Sequence, residues 1–182
     1  MAIGGMLLAI GGLGFFGAAF SAVGGLNGLP PGFEWPIGHA SGVIVTRNGD
    51  HVVPHAPSGR IQIYDRDWKF IRGWHIEAGG GAFHIRMTDD DQIEAVTARG
   101  RMRYHYSSEG ALLSQEKFDS QNYPGFSDAG VSADVPTHWW LWVFTNPFHS
   151  WLVGAVGMIL LAISGKITAK SESMPTDKSR SP

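Results

Sequence analysis

The chain has 182 residues, a formal net charge of -2 and no cysteine. That length holds one modest domain plus extras, the charge argues against a nucleic-acid partner, and the missing thiols exclude disulfides, thiolate metal sites and thiol catalysis. Hydrophobic residues make up 43% of the chain but are segregated: no charged side chain occurs from Met1 to Pro31 or from Thr137 to Gly165. That segregation points to a membrane.

The first element is the apolar run "AIGGMLLAIGGLGFFGAAFSAVGGL", predicted as a transmembrane helix within residues 1–28, since roughly 20 helical residues cross the hydrocarbon layer. A cleaved leader is the alternative. Gly17 and Ala19 suit a cleavage site, but the run lacks a basic n-region and is long for an h-region. Gly4, Gly11, Ala18 and Gly25 recur every seven residues, with Gly5, Gly12 and Ala19 beside them. Seven residues is nearly two turns, so these small residues form a stripe that admits a second helix closely. That neighbour is either this chain's other helix or a partner's. A linker is expected over 29–40.

The middle contains a repeat. Sliding the chain by 41 positions lays "FHIRMTDDDQIEAVTARGRMRYHYSSE" under "GVIVTRNGDHVVPHAPSGRIQIYDRDW" without a gap. Asp90 then falls under Gly49, Gly100 under Gly59 and Tyr106 under Asp65. Each unit reads as four short strands: 43–46, 51–55, 60–64 and 70–74, then 83–88, 92–96, 101–106 and 111–115. Turn residues separate them. The units span 41–80 and 81–116.

"SGVIVTRNGDHVVPHAPSGRIQIYDRDWKFIRGW" resembles a blade of the NHL-repeat family in its apolar first strand, its Asn-Gly-Asp turn, its Gly-Arg-Ile-Gln-Ile-Tyr-Asp strand and its Phe-Ile after the turn. The second unit is more diverged. The resemblance implies a β-propeller-blade fold over about residues 41–115 and carries no catalytic residue. The fold class is therefore membrane α+β: two transmembrane helices flanking an extramembrane all-β domain of two four-stranded, propeller-blade-like antiparallel sheets. Two blades cannot close a propeller. They pack face to face, assemble between copies, or lean on another protein.

By alternation, Ile44, Val52, Ile61 and Ile63 share one face of the first unit, and Val43, Val45 and Val53 the other. In the second unit Ile85, Ile93, Met102 and Tyr104 share a face. The opposite face gathers His84, Arg86, Arg101, Arg103 and His105 with Glu94, a candidate surface for docking an acidic partner or lipid headgroups. The first unit is expected to be covered on both faces and the second to be terminal.

Residues 117–138 read as irregular loop. Over 139–166 follow an aromatic belt, Trp139, Trp140 and Trp142 with Trp151 beyond, and the second transmembrane helix, with Pro147 in its first turn and Thr145 or Asn146 as cap. His149 is expected to face protein or the interface. The tail 167–182 is polar, expected to be disordered, and carries Lys170, Lys178 and Arg180 close after Lys166. The positive-inside rule places it in the cytoplasm, with the N-terminus beside it and the β domain periplasmic, extracellular or lumenal.

Chemistry is sparse. His51 and His55 share a strand face but lie about 13 Å apart by strand rise, too far to share an ion. His75, His84 and Glu77 could meet across a turn, yet a metal site needs three or four converging ligands. "TDDDQ" is explained as a turn, and "EAGGGAF" lacks the lysine and helix of a phosphate loop. No nucleophile motif, cofactor or catalytic constellation is recognisable. These readings converge on a non-catalytic accessory or scaffolding subunit of a larger membrane complex, with other integral membrane subunits, the bilayer and a further copy of itself as partners. The alternatives are a membrane-anchored ligand-binding or sensing module and a membrane-tethered enzyme.

Overall fold

A computed structural model of the protein describes residues 2–118 and 130–172, with side chains to residue 166 in the last helix. Helix α1 spans Ala2–Ala22 and α3 spans Pro147–Glu172, preceded by a short turn of helix, α2, at Trp142–Thr145. Between them lie nine strands: β1 His39–Val45, β2 His51–His55, β3 Arg60–Tyr64, β4 Phe70–His75, β5 Phe83–Met87, β6 Ile93–Thr97, β7 Met102–Tyr106, β8 Leu112–Lys117 and β9 Val131–Asp134. They form two antiparallel sheets, ordered β4-β3-β2-β1-β9 and β5-β6-β7-β8.

Both long helices are apolar all round, and each is long and apolar enough to cross a membrane. Large side chains such as Ile3, Leu13, Phe16, Phe148 and Met158 stand exposed on them. Asn146 is extended, as a residue before proline prefers, and its Oδ1 accepts the Phe148 N–H at 2.8 Å, capping α3. The helix runs beyond the expected Lys166 as far as Glu172. Of the predicted tail, residues 173–182 lie outside the described residues.

Eight of the nine strands fall where alternation puts them. The ninth corrects the expectation of loop over 117–138. Val131–Asp134 pairs with the first half of β1, His39 opposite Asp134 and Ala40 opposite Ala133. Four residues with exposed or half-exposed side chains give no alternation to read. The pairing arises because β1 bulges between Ala40 and Val43 and leaves β2 after two residue pairs. The same departure frees the β1-facing side of β2 beyond Val52, where Pro54, which cannot donate to a ladder, is tolerated.

The repeat is real, but its period is 42 and not 41. Ile44 faces Val52 as Arg86 faces Glu94; His51 faces Tyr64 as Ile93 faces Tyr106; Arg60 faces His75 as Met102 faces Lys117. The turns agree. The Asp65 carboxylate accepts the N–H groups of Asp67 and Lys69, as the Ser107 hydroxyl accepts those of Glu109 and Ala111. Left-handed backbone recurs at Gly49 and Asp91, Gly59 and Arg101, Trp68 and Gly110. Asp91, Arg101 and Ser107 are thus the counterparts of Gly49, Gly59 and Asp65. The gap-free alignment matched glycine to glycine and slipped by one residue.

A slip of one exchanges the faces of a strand, and here it settles how the sheets stack. With the period at 42, the apolar face Ile44, Val52, Ile61 and Ile63 corresponds to the polar face of the second repeat. It packs on Phe83, Ile85, Ile93, Ala95, Tyr104 and Tyr106, the other face of that repeat. The repeats are therefore stacked front to back. The remaining face of the first repeat, Val43, Val53 and Tyr64, is covered by Ile37 and Val135. So the first repeat is sandwiched and the second is terminal. Of the three arrangements open from the sequence, the chain adopts direct packing of one unit on the other.

A strap over residues 31–37 completes that cover. The Gln62 side chain brackets Trp35, its Oε1 accepting the Trp35 N–H at 2.6 Å and its Nε2 donating to the Trp35 carbonyl at 2.9 Å. The Gly73 N–H donates to the Pro31 carbonyl at 2.8 Å, occupying the edge of β4. Arg60 is fully covered, with one guanidinium N–H donating to the Phe33 carbonyl at 3.1 Å. Burial lowers its pKa below the usual arginine value.

Candidate functional site

Three surfaces carry the residues singled out from the sequence. The first is the helix hairpin. Gly4, Gly11, Gly14, Ala18 and Ser21 are the buried positions of α1, and the three glycines face α3. A Cβ on Gly11 would lie 2.5 Å from the Gly154 Cα; one on Gly4 would lie 3.0 Å from the Gly157 carbonyl oxygen. Without side chains at these positions the two backbones approach to van der Waals contact. Gly4 and Gly11 of the predicted line therefore meet this chain's own second helix, and Ala18 is buried. Gly25, the fourth member, lies past the end of α1, and its added Cβ would meet the Phe20 ring. The neighbouring line behaves differently: a Cβ on Gly5 or Gly12 would meet nothing within 4 Å, and Ala19 is exposed. Beside Gly12 runs an apolar groove of about 280 Å³ walled by Phe15, Phe16, Trp151 and Met158. The sequence reading missed the receiving residues on α3, Ser150, Gly154 and Gly157. Their spacing of four and three is itself a small-residue motif.

The hairpin is joined to the sheets at the 3-10 turn Ala56–Ser58. The Ser21 hydroxyl of α1 donates to the Ser58 carbonyl at 2.7 Å, and the Ala22 carbonyl, an orphan at the helix end, accepts the Gly80 N–H at 2.9 Å. Toward the end of α2, His55 Nε2 lies 3.3 Å from the Thr145 carbonyl while its Nδ1 lies 2.7 Å from the Ser58 hydroxyl. Nε2 therefore carries the proton and Nδ1 accepts. Burial outweighs the Thr145 hydrogen bond and lowers the His55 pKa to about 4.

The second surface is the polar face of the second sheet. His84, Arg86, Arg103 and His105 share it, as alternation predicts, with Arg101 in the turn before β7. The charge is not a free positive field. Glu94, only 2% exposed, accepts from Arg86 on one oxygen and lies 2.9 Å from Arg103 Nε on the other. Arg103 also donates to Glu116 at 2.9 Å. Two carboxylates against three guanidinium groups leave little excess. Glu116 escaped the sequence reading because it sits on β8, whose pairing with β7 was needed to bring it there.

The third surface is the aromatic belt. Trp139, Trp140, Trp142 and Trp151 are all exposed. His149 is half-buried and stacks on Trp142 with ring centroids 4.3 Å apart. His51 stacks on Trp68 at 4.0 Å and contacts the Asp65 carbonyl, and His55 belongs to the junction above. Among the described residues no group of three His, Asp or Glu side chains converges to hold a metal.

No family model matches the chain, and no curated protein matches it. Among solved structures it is similar to selenomethionine-substituted virginiamycin B lyase from Staphylococcus aureus, at 11% identity and a TM-score of 0.40. The match covers 51% of this chain and 31% of that one. So low a score says nothing of activity, and the argument rests on the geometry above.

Proposed function

We propose that the chain crosses a membrane twice, through α1 and α3, with both termini cytoplasmic and the β domain on the opposite side. There it serves as a non-catalytic accessory subunit of a larger integral membrane complex. The two stacked repeats are read as propeller blades of NHL type. The repeats bury one apolar face of each against the other, so that core needs no partner to shield it. The observation that carries the reading lies in the helices. One small-residue line of α1 is taken by α3, and the second, Gly5, Gly12 and Ala19, has no neighbour among the described residues. An open line of small residues beside an aromatic-walled groove suits the close approach of another helix.

The test is native sizing after gentle extraction. The wild-type chain is expected to travel with other membrane subunits. Gly12→Leu, on the open line, is expected to release it as a free chain whose melting temperature is unchanged. A wild-type chain that runs alone at every concentration, or a Gly12→Leu variant that stays in the complex, refutes the reading.

A further inference from the structure

Stacking the two repeats brings their corresponding turns to the same end of the β body. In the first repeat that end meets the end of α1. A Cβ on Gly59 would lie 3.3 Å from the Ala22 carbonyl oxygen, and one on Gly24 would lie 3.4 Å from His75 Nε2. The turn itself is held through Ser21 and the Ser58 carbonyl. The period of 42 makes Arg99, Arg101 and Lys117 the counterparts of Pro57, Gly59 and His75. The positions that border the helix in the first repeat are thus all basic in the second.

The glycine run between the repeats sets the direction of Arg99. Its stem lies across the bare backbone there: a Cβ on Gly81 would lie 2.8 Å from Arg99 Cγ, and one on Gly80 would lie 3.7 Å from Nη1. Nη1 donates to the Gly79 carbonyl at 3.1 Å. The same Cβ on Gly80 would lie 3.2 Å from Val23 Cγ1, and the Gly80 N–H donates to the Ala22 carbonyl. The Arg99 guanidinium and the exposed Val23 therefore flank one glycine. Phe16, Phe20 and Val23 keep α1 apolar and exposed up to that point.

Arg99, Arg101 and Lys117 are exposed and form no ion pair among the described residues. They differ in this from Arg86 and Arg103, whose charge Glu94 and Glu116 take up. Glu77 and the buried Arg60 act on His75 with opposite sign, so the Glu77 carboxylate is already matched nearby. Unpaired cations beside the place where an apolar helix ends sit where a bilayer presents its phosphates.

We propose, on the reading that α1 crosses a membrane, that this end of the second repeat rests on the bilayer and binds anionic phospholipid headgroups through Arg99, Arg101 and Lys117. The two guanidinium groups offer paired N–H donors to phosphate oxygens, and Lys117 adds a point charge. Lipid then takes beside the second repeat the place that α1 takes beside the first.

The experiment reconstitutes the full chain in phosphatidylcholine vesicles with a trace of spin-labelled phosphatidylglycerol or spin-labelled phosphatidylcholine, and measures the motionally restricted fraction of each. The wild-type chain is expected to prefer the anionic label by about fivefold, as a basic side chain at a charged surface would give, and high salt is expected to remove the preference. The triple variant Arg99→Gln, Arg101→Gln, Lys117→Gln is expected to bring the two labels to parity at an unchanged melting temperature. Should the triple variant fail to fold, Lys117→Gln alone, exposed on an edge strand, decides in its place by lowering the preference. Lys69→Gln, at the far end of β3, is expected to leave the preference as it is; an equal loss there would mean that net charge alone acts, and would overturn the proposal. Equal restriction of both labels by the wild-type chain, or a preference that these variants keep, overturns it while leaving the membrane reading intact. Restriction of neither label overturns both. An arginine that served only the dipole at the end of α1 would shift the melting temperature and not the lipid preference.

Discussion

Arg101 holds in the second repeat the backbone position that Gly59 holds in the first, with φ of 51° against 62°. The left-handed region costs an L-residue about 1 kcal/mol that glycine escapes. Part of that gain is lost because glycine has more freedom when unfolded. Arg101→Gly is therefore expected to stabilise the protein by about 0.5 kcal/mol, read as a small rise in melting temperature. Its side chain is exposed, so little packing is lost. A drop of similar size would mean that the arginine makes a contact worth more than the strain.

Gly11→Leu, on the closed line of α1, should behave unlike Gly12→Leu. Its side chain would collide with the backbone at Gly154 and Ser150, which cannot yield as a flexible side chain can. Overpacking of this kind costs roughly 1–3 kcal/mol or more. The expected result is a hairpin that splays, seen as a longer distance between spin labels near Ile3 and near Ser164, together with a lower melting temperature. An unchanged distance would show that the two helices are not held by this crossing.

Glu94→Gln should cost about 1–3 kcal/mol, below the range for a fully buried pair because both guanidinium groups are partly in water. One buried carboxylate neutralises Arg86 and Arg103. Removing its charge leaves Arg86 and Arg103 facing each other across β6, with Glu116 the remaining carboxylate on Arg103. Chemical denaturation of the full chain in detergent measures the loss, and high salt should reduce the difference between variant and wild type.

His55 gives the fold a dependence on acidity. Its pKa falls from 6.5 to about 4 on folding, so between those values the unfolded chain binds a proton that the folded chain does not. The contribution is complete above pH 6.5 and is lost as pH falls toward 4, by up to about 3 kcal/mol. Melting temperature should therefore decline across that window, and His55→Gln should flatten the decline. A flat wild-type profile from pH 7 to 4 would contradict the burial of this ring.

Strand positions were legible because alternation reports burial directly: Ile44, Val52, Ile61 and Ile63 share one core. The period of the repeat was not. Which residue takes the left-handed conformation is decided by the turn, and Asp91 and Arg101 take it without advertising it, while Gly100 attracted the alignment one place early. Likewise the small-residue stripe on α1 was plain, but not that one line would be closed by Gly154 and Gly157 and the next left open. The polar face of the second repeat was placed correctly, whereas its neutralisation needed Glu116, brought in by strand pairing.

The 3-10 turn at Ala56–Ser58 grips α1 through Ser21 and is linked through His55 to the Thr145 carbonyl, at the end of α2 and two residues before α3 begins. Because α1 and the segment leading into α3 are fastened at the same short stretch of backbone, a tilt or twist of the helix pair turns the β body with it, like an oar about its rowlock. A fluorophore fixed on β8 would report such a swing.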